Sequence, residues 1–296
     1  MCGVAGFLHC LDGNRSTRNI TNSLLKFLHH RGPDSYCLVS LDSDRLSLAH
    51  TRLSILDLSS KGDQPMSFHN RFTITYNGEI YNFLELRAKL EQKGYSFDTK
   101  TDTEIILAAY AEWGSNCLEK FNGMWAFAIW DNLKKTLFLA RDRFGIKPLY
   151  FIHESQSGFA FSSEIQPFLK SSYFDISLNY ENLISVLHDP HCLQDSGLTI
   201  YNEIFELPPG HYMEISSELT VLEYKKWWKL REFELDISSD SIDDKFFELF
   251  TDSCSLRMRS DVPLATALSG GLDSSSTYCV ICKSNQSEKT QYFPDK

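Results

Sequence analysis

The chain has 296 residues, 42% of them hydrophobic and 23% charged, with a formal net charge of −10. That length favours about two soluble domains, and the acidic balance argues against a broad nucleic-acid surface. No apolar run reaches the ~18 residues of a membrane helix, and the N-terminus MCGVAGFLHC has no basic segment of the kind that opens a secretory signal.

The chain opens on the apolar stretch CGVAGFLH. A helix is expected from Ser16 to His30, with Leu24, Leu25 and Leu28 at helical spacing and Gly32 beyond its end. Three strand candidates follow, YCLVSL, RLSLAH and RFTITY, separated by polar turns. Two helices come next, YNFLELRAKLEQKG and TDTEIILAAYAEWG, each closed by a glycine suited to a left-handed cap. A second strand block covers MWAFAIWD, TLFLARD, PLYFI and GFAFSSE. This grouping predicts two sheets with helices outside them rather than a βαβ alternation.

Residues 214–240 are polar and weakly periodic, which places a domain boundary there. Ser241 to Asp244 reads as a capping box ahead of the helix KFFELFTDSCSLRM. VPLATAL then reads as a buried strand, leading through SGGLDSS (269–275) into another helix. That turn is not a P-loop, because no Gly-Lys-Ser/Thr follows its glycines. Gly270 and Gly271 let backbone N–H groups face an anion, the helix adds its positive end, and Ser269, Ser274 and Ser275 add hydroxyls.

Eight cysteines are scattered along the chain, at 2, 10, 37, 117, 192, 254, 279 and 282. A reducing, cytoplasmic setting suits that spacing, and Cys279-x-x-Cys282 without a second pair reads first as two packed thiols on one helix face. Cys2 is different in position. Removal of Met1 would leave its thiol beside its own α-amine, whose reference pKa of ~7.7–8.0 suits a general base. Alone, Cys2 still reads first as a packed thiol, Asn77-Gly78 as a hairpin turn, Arg52 as a surface ion-pair partner and Asp102 as part of a helix start.

The stretches MCG, HRGPD (30–34), RLSILD (52–57), YNGEIYN (76–82), TDTEIIL (101–107), RDRFGIKPLY (141–150) and FSSEI (161–165) occur in that order. Together they resemble the glutaminase domain of class II glutamine amidotransferases. With SGGLDSS downstream, the chain resembles the glutamine-hydrolysing asparagine synthetase family. The resemblance implies an α+β fold: an N-terminal-nucleophile αββα sandwich over 2–215, a linker over 216–240, and over 241–296 the start of an α/β, Rossmann-like adenine-nucleotide α-hydrolase domain.

It further implies that Cys2 attacks the glutamine side-chain amide, with Asn77 and Gly78 as oxyanion donors. Arg52 would take the glutamine carboxylate, and Asp102 its ammonium, assisted by the Glu79 region. Ala267, Ser269, Gly270, Gly271, Leu272, Asp273, Ser274 and Ser275 would form the ATP pyrophosphate loop, with Asp273 acting through Mg²⁺. ATP and Mg²⁺ are the expected co-substrate and ion. No resident metal and no prosthetic group are expected, and glutamine and aspartate are the other substrates. About 55 residues of the second domain are expected to be too few for a core of their own, exposing apolar faces and leaving that activity in doubt. A stand-alone glutaminase, and a non-enzymatic glutamine-binding chain, remain as alternatives. The partner is left open between a second copy and a separate synthetase chain.

Overall fold

The computed structural model describes residues 1–9, 16–154, 158–230 and 241–287, and of 284–287 the backbone alone. Cys10, residues 231–240 and the tail TQYFPDK lie outside the described residues. The chain divides into two compact units, Met1–Ser54 with Ser59–Lys229, and Ile55–Leu58 with Leu230–Lys296.

In the first unit, strands β1 (Gly3–Leu8), β2 (Ser35–Leu41), β3 (Leu46–Arg52), β8 (Tyr150–Glu154), β9 (Gly158–Ser162) and β10 (Phe205–Glu206) form one antiparallel sheet, in the order β10-β8-β9-β1-β3-β2. A second sheet contains β4 (Met66–Phe68), β5 (Phe72–Ile80), β6 (Gly123–Asp131), β7 (Thr136–Arg141), β11 (His211–Ser216) and β12 (Val221–Lys226), ordered β12-β11-β7-β6-β5-β4. Helices α1 (Thr17–Leu25) and α4 (Gln166–Lys170) cover the first sheet, while α3 (Asp102–Trp113) covers the second and α2 (Phe83–Glu91) packs on α3. A further helix, α5 (Tyr180–His188), buries none of its residues.

Alternation along the strands explains the layering. On β1, Val4 and Leu8 enter the core between the sheets, whereas Ala5 and Phe7 pack outward with Ile20, Leu24 and Phe168. On β6, Ala126, Ala128 and Trp130 enter that same inner core. Because both faces of β1 are covered, all six of its residues are buried. The expected αββα sandwich is what the first unit forms. Helix α1 starts where expected, with the Ser16 hydroxyl accepting from Asn19 N–H, but ends at Leu25 in a run of turns before Gly32.

Three expectations need correction. The linker does not begin at residue 216: β12 pairs with β11 from His211↔Lys226 to Ile215↔Val221, and the unit continues to Lys229. The outer strand is exposed along its length, so its sequence lacks the apolar alternation that marks a half-buried strand. VPLATAL is not a strand. Residues 262–268 lie outside any strand or helix and, apart from half-buried Val262, are exposed, since no strand among the described residues of the second unit pairs with them. The capping box is not formed either. Ser241 precedes helix α6 (Ile242–Arg257) with φ −110° and ψ 0°, and makes no side-chain cap bond. An N-cap side chain reaches the helix amides from an extended backbone, which Ser241 lacks.

The second unit packs α6 against α7 (Leu272–Ser287), with Asp261 N–H donating to Ile55 O at 2.9 Å and Asp57 N–H to Asp261 Oδ2 at 2.8 Å. Leu264, Leu268, Leu272, Phe246 and Phe247 are exposed. Among the described residues, no helix is long and apolar enough to cross a membrane.

Candidate active site

Cys2 stands one residue before β1, whose Gly3 pairs with Thr51 of β3. Its thiol sits against the backbone of Leu53, accepting from Leu53 N–H at 3.4 Å and donating to Leu53 O at 3.6 Å. Burial pushes the thiol up from its ordinary pKa, while the Leu53 bond and the N-terminal charge act against that shift. Glu79 and Asp102 add to the upward push, so both carboxylates lie within electrostatic range of the sulfur. Burial also lowers the α-amine of Met1.

Strand β5 brings the next residues to this corner. Thr75 Oγ1 donates to Ala49 O (2.9 Å), and His50 Nε2 donates to Tyr76 O (3.0 Å). That register carries Asn77 and Gly78 to the level of Thr51 and Arg52, beside the start of β1. Since Thr75 faces the other sheet, the pleat turns Asn77 the same way and Tyr76 toward α3. The Asn77 side chain is buried, and its Nδ2 has no hydrogen-bond partner among the described residues.

The Gly78 N–H has a similar status, for a reason read from its neighbours. Tyr76 N–H reaches Gln64 Oε1 (2.7 Å) and Ile80 N–H reaches Asp102 Oδ2 (2.8 Å), both on the edge of β5 away from β6. Trp125, opposite Gly78, turns its own N–H and C=O to Asp142, at 3.0 and 2.8 Å. Gly78 N–H therefore points away from β6, between two amides whose acceptors are side chains. Only glycine fits here, because a Cβ would lie 2.3 Å from Met124 O and 2.6 Å from Trp125 Cα. Two donors without acceptors in a protein corner mark a place made for an incoming oxygen.

Arg52, at the end of β3, is nearly buried; its guanidinium donates to Ser59 O (2.7 Å) and pairs with Asp63 (3.0 Å). Asp102 opens α3, and its Oδ2 accepts from Tyr76 Oη (2.7 Å) as well as from Ile80 N–H. Burial raises its carboxyl to about 6 against those hydrogen bonds. Glu79 is half-buried on β5. Cys2, Arg52, Asn77, Gly78, Glu79 and Asp102 thus gather at one end of the first unit's two sheets.

Several residues of this corner carried no role in the sequence reading. Arg31 donates from Nε to Cys2 O (2.9 Å) and from Nη1 to Glu164 (2.7 Å), which His30 also meets at 3.0 Å. His50 is held near pKa 4 by burial and is neutral. Arg31 and Glu164 lie inside the stretches HRGPD and FSSEI, so the motifs pointed to them without saying what they touch.

The nucleotide-loop residues belong to the second unit. Gly270 has φ +82°, Ser269 Oγ meets Ser274 Oγ at 3.0 Å and Gly271 N–H at 3.4 Å, and α7 begins at Leu272. Ser275 N–H is taken by Gly271 O (3.1 Å) as the helix starts. The loop is a turn closed on itself, with Ala267, Leu272 and Asp273 exposed. Among the described residues no group of three or more His, Cys, Asp or Glu is gathered so as to hold a metal ion. Cys279, expected to pack, is exposed on α7, and Cys282 is half-buried.

The family model described as the glutamine amidotransferase domain matches residues 1–228, and the one described as asparagine synthase matches residues 245–293. The putative asparagine synthetase [glutamine-hydrolyzing] 2 of Methanocaldococcus jannaschii is 33% identical over 310 residues, covering 99% of this chain and 59% of the relative. Asparagine synthetase [glutamine-hydrolyzing] 3 of Bacillus subtilis is 34% identical over 282 residues, covering 93% and 44% respectively. The chain thus spans about half the length of the curated relatives it matches. Among solved structures, the glutamine phosphoribosylpyrophosphate amidotransferase of B. subtilis superposes with a TM-score of 0.55 at 20% identity, over 76% of this chain and 49% of that one, a likeness of fold.

Proposed function

Because this chain belongs to the glutamine amidotransferase domain family, we propose that its first unit hydrolyses the side-chain amide of glutamine, with Cys2 as nucleophile. Hydrolytic removal of Met1 gives Cys2 a free α-amine, which takes the thiol proton directly or through a water. The sulfur adds to the amide carbon, and the oxygen becomes an oxyanion between Asn77 Nδ2 and Gly78 N–H. Collapse of that adduct expels ammonia and leaves a thioester, which water cleaves to glutamate and the free thiol.

Arg52 receives the glutamine carboxylate through its planar fork, and Asp102, with Glu79 near it, receives the ammonium. His50 acts from behind: its Nε2–H fixes the carbonyl of Tyr76, one residue before the oxyanion donors. The observation that carries the reading is the pair of donors without acceptors among the described residues, Asn77 Nδ2 and Gly78 N–H, brought by β5 to the corner where the half-buried Cys2 thiol sits.

The second unit extends the proposal to ligation. Its SGGLDSS turn is read as the part of an ATP site that grips pyrophosphate while aspartate is activated as an acyl-adenylate. Ammonia from Cys2 converts that intermediate to asparagine, with AMP and pyrophosphate as by-products. Support for this half is the match of residues 245–293 and the named activity of the relatives. No step is routed through Mg²⁺, which would travel with the ATP phosphates.

The test is release of ammonia from glutamine by the full chain, with the N-terminus defined by intact mass. Cys2→Ala is expected to abolish release. Undiminished release by that variant contradicts the assignment.

A further inference from the structure

Lys147 is nine-tenths or more buried, alone among the lysines of the described residues. Its backbone is held from both sides, the N–H by Asp142 Oδ2 (3.0 Å) and the C=O by Arg141 Nε (2.8 Å). Asp142 spends its two oxygens on the N–H groups of Trp125, Phe144, Ile146 and Lys147, and makes no ion pair with the ammonium. The ammonium's one hydrogen-bond partner among the described residues is the thioether of Met1, with Nζ 3.2 Å from Sδ. A thioether is a weak, neutral acceptor, so a buried cation is left short of both charge and hydrogen bonds.

We propose that the Lys147 ammonium is the cation of the Cys2 centre, standing beside the thiolate and Glu79, and that the Met1 side chain holds its place until Met1 is removed. The inference rests on the reading of Cys2 as nucleophile. In the removal step water adds across the Met1–Cys2 peptide bond, methionine leaves, and Cys2 gains its α-amine. The same step deletes the thioether contact and leaves the ammonium facing the site.

The charges around it are those of Cys2, Glu79, Arg31 and Asp142, with the N-terminal amine close by. Glu79 and Asp102 push the thiol toward its protonated form. A fixed cation opposes them, because an ammonium near a thiol favours the thiolate. Burial lowers the lysine's own pKa, while Glu79 and Cys2 act to keep it charged. Lys147 is thus a positioning residue: it acts through the charge state of Cys2 and leaves proton transfer to the α-amine. A lysine that merely filled space would be replaced by methionine without consequence for the sulfur.

The experiment uses the full chain with Met1 removed and follows alkylation of Cys2 by iodoacetamide against pH, read by mass spectrometry on the N-terminal peptide. Lys147→Met is expected to move the alkylation midpoint to higher pH and to slow the reaction roughly tenfold at neutral pH, the effect of about one pKa unit. Lys147→Arg is expected to restore most of the rate. If Lys147→Met fails to give the wild-type circular dichroism spectrum, Lys147→Gln replaces it. A pH profile unchanged on loss of the charge overturns the proposal. The two readings fail separately. Wild-type hydrolysis of glutamine with an unchanged profile in the variant removes Lys147 alone; a shifted profile without wild-type hydrolysis keeps the Lys147–Cys2 pair and removes the glutaminase reading.

Discussion

Two glycine motifs, YNGEI in the first unit and SGGLD in the second, make a useful contrast. Gly78 is wedged against Met124 and Trp125 within a sheet, while Gly270 sits at positive φ with no atom within 4 Å of a built Cβ. Around Gly78 the Asn77 amide is buried, and neither it nor the Gly78 N–H has an acceptor among the described residues; around Gly270 the hydroxyls of Ser269 and Ser274 satisfy each other in the open. A site preorganised by packing keeps its donors empty for the substrate, because neighbouring strands hold them apart from alternative partners. An exposed turn without that support closes on itself.

The largest expected effect that sharpens this contrast is at Asn77. Asn77→Ala is expected to lower kcat for glutamine hydrolysis by ~10²–10³. Its effect on thermal unfolding should be slight, because Nδ2 gives up no hydrogen bond in the free protein. A melting temperature that collapses with the rate would mean that Asn77 supports the fold instead.

Gly78→Ala comes next, with an expected loss of about 1–3 kcal/mol by overpacking, seen in chemical denaturation alongside loss of activity. Gly270→Ala provides the counterpart, costing about 1 kcal/mol from backbone conformation alone. Equal costs at the two glycines would break the comparison.

Asp102 gives a pH signature of intermediate size. With its carboxyl raised to about 6, it must ionise before it can hold the glutamine ammonium. KM for glutamine is therefore expected to rise as pH falls below 6, approaching tenfold per unit. The stability sign is opposite. A carboxyl raised in the folded state contributes stability below its unfolded pKa of ~3.9, and that contribution is lost as pH rises through 6. Asp102→Asn should accordingly weaken glutamine binding yet raise the melting temperature at pH 7. A variant that loses both contradicts the burial argument.

Much of the first unit could be read from the chain, because β1, β3, β6 and β7 carry apolar runs of strand length with turn residues between them. The edge strand β12 could not. VLEYKK is exposed on every residue, so nothing in its polarity separates it from a linker. VPLATAL failed in the other direction: it has the composition of a buried strand, but pairing is a property of neighbours and none is present among the described residues. At the site, Cys2, Arg52, Asn77, Gly78 and Asp102 were named through family resemblance, since each has an ordinary reading by itself. The empty Gly78 N–H follows from strand direction, and the isolation of Lys147 follows from how Asp142 spends its oxygens. Neither is written in local sequence, and both needed the register of β5 and β6.

The central claim, attack of the Cys2 sulfur on the glutamine amide, is tested most directly by a covalent trap. A glutamine analogue carrying a diazoketone in place of the amide is incubated with the Met1-processed chain, and the adduct is located by peptide mass spectrometry. The account predicts a single adduct on Cys2, formed more slowly in the presence of glutamine. Labelling spread over exposed thiols such as Cys37 and Cys279, unaffected by glutamine, would contradict it.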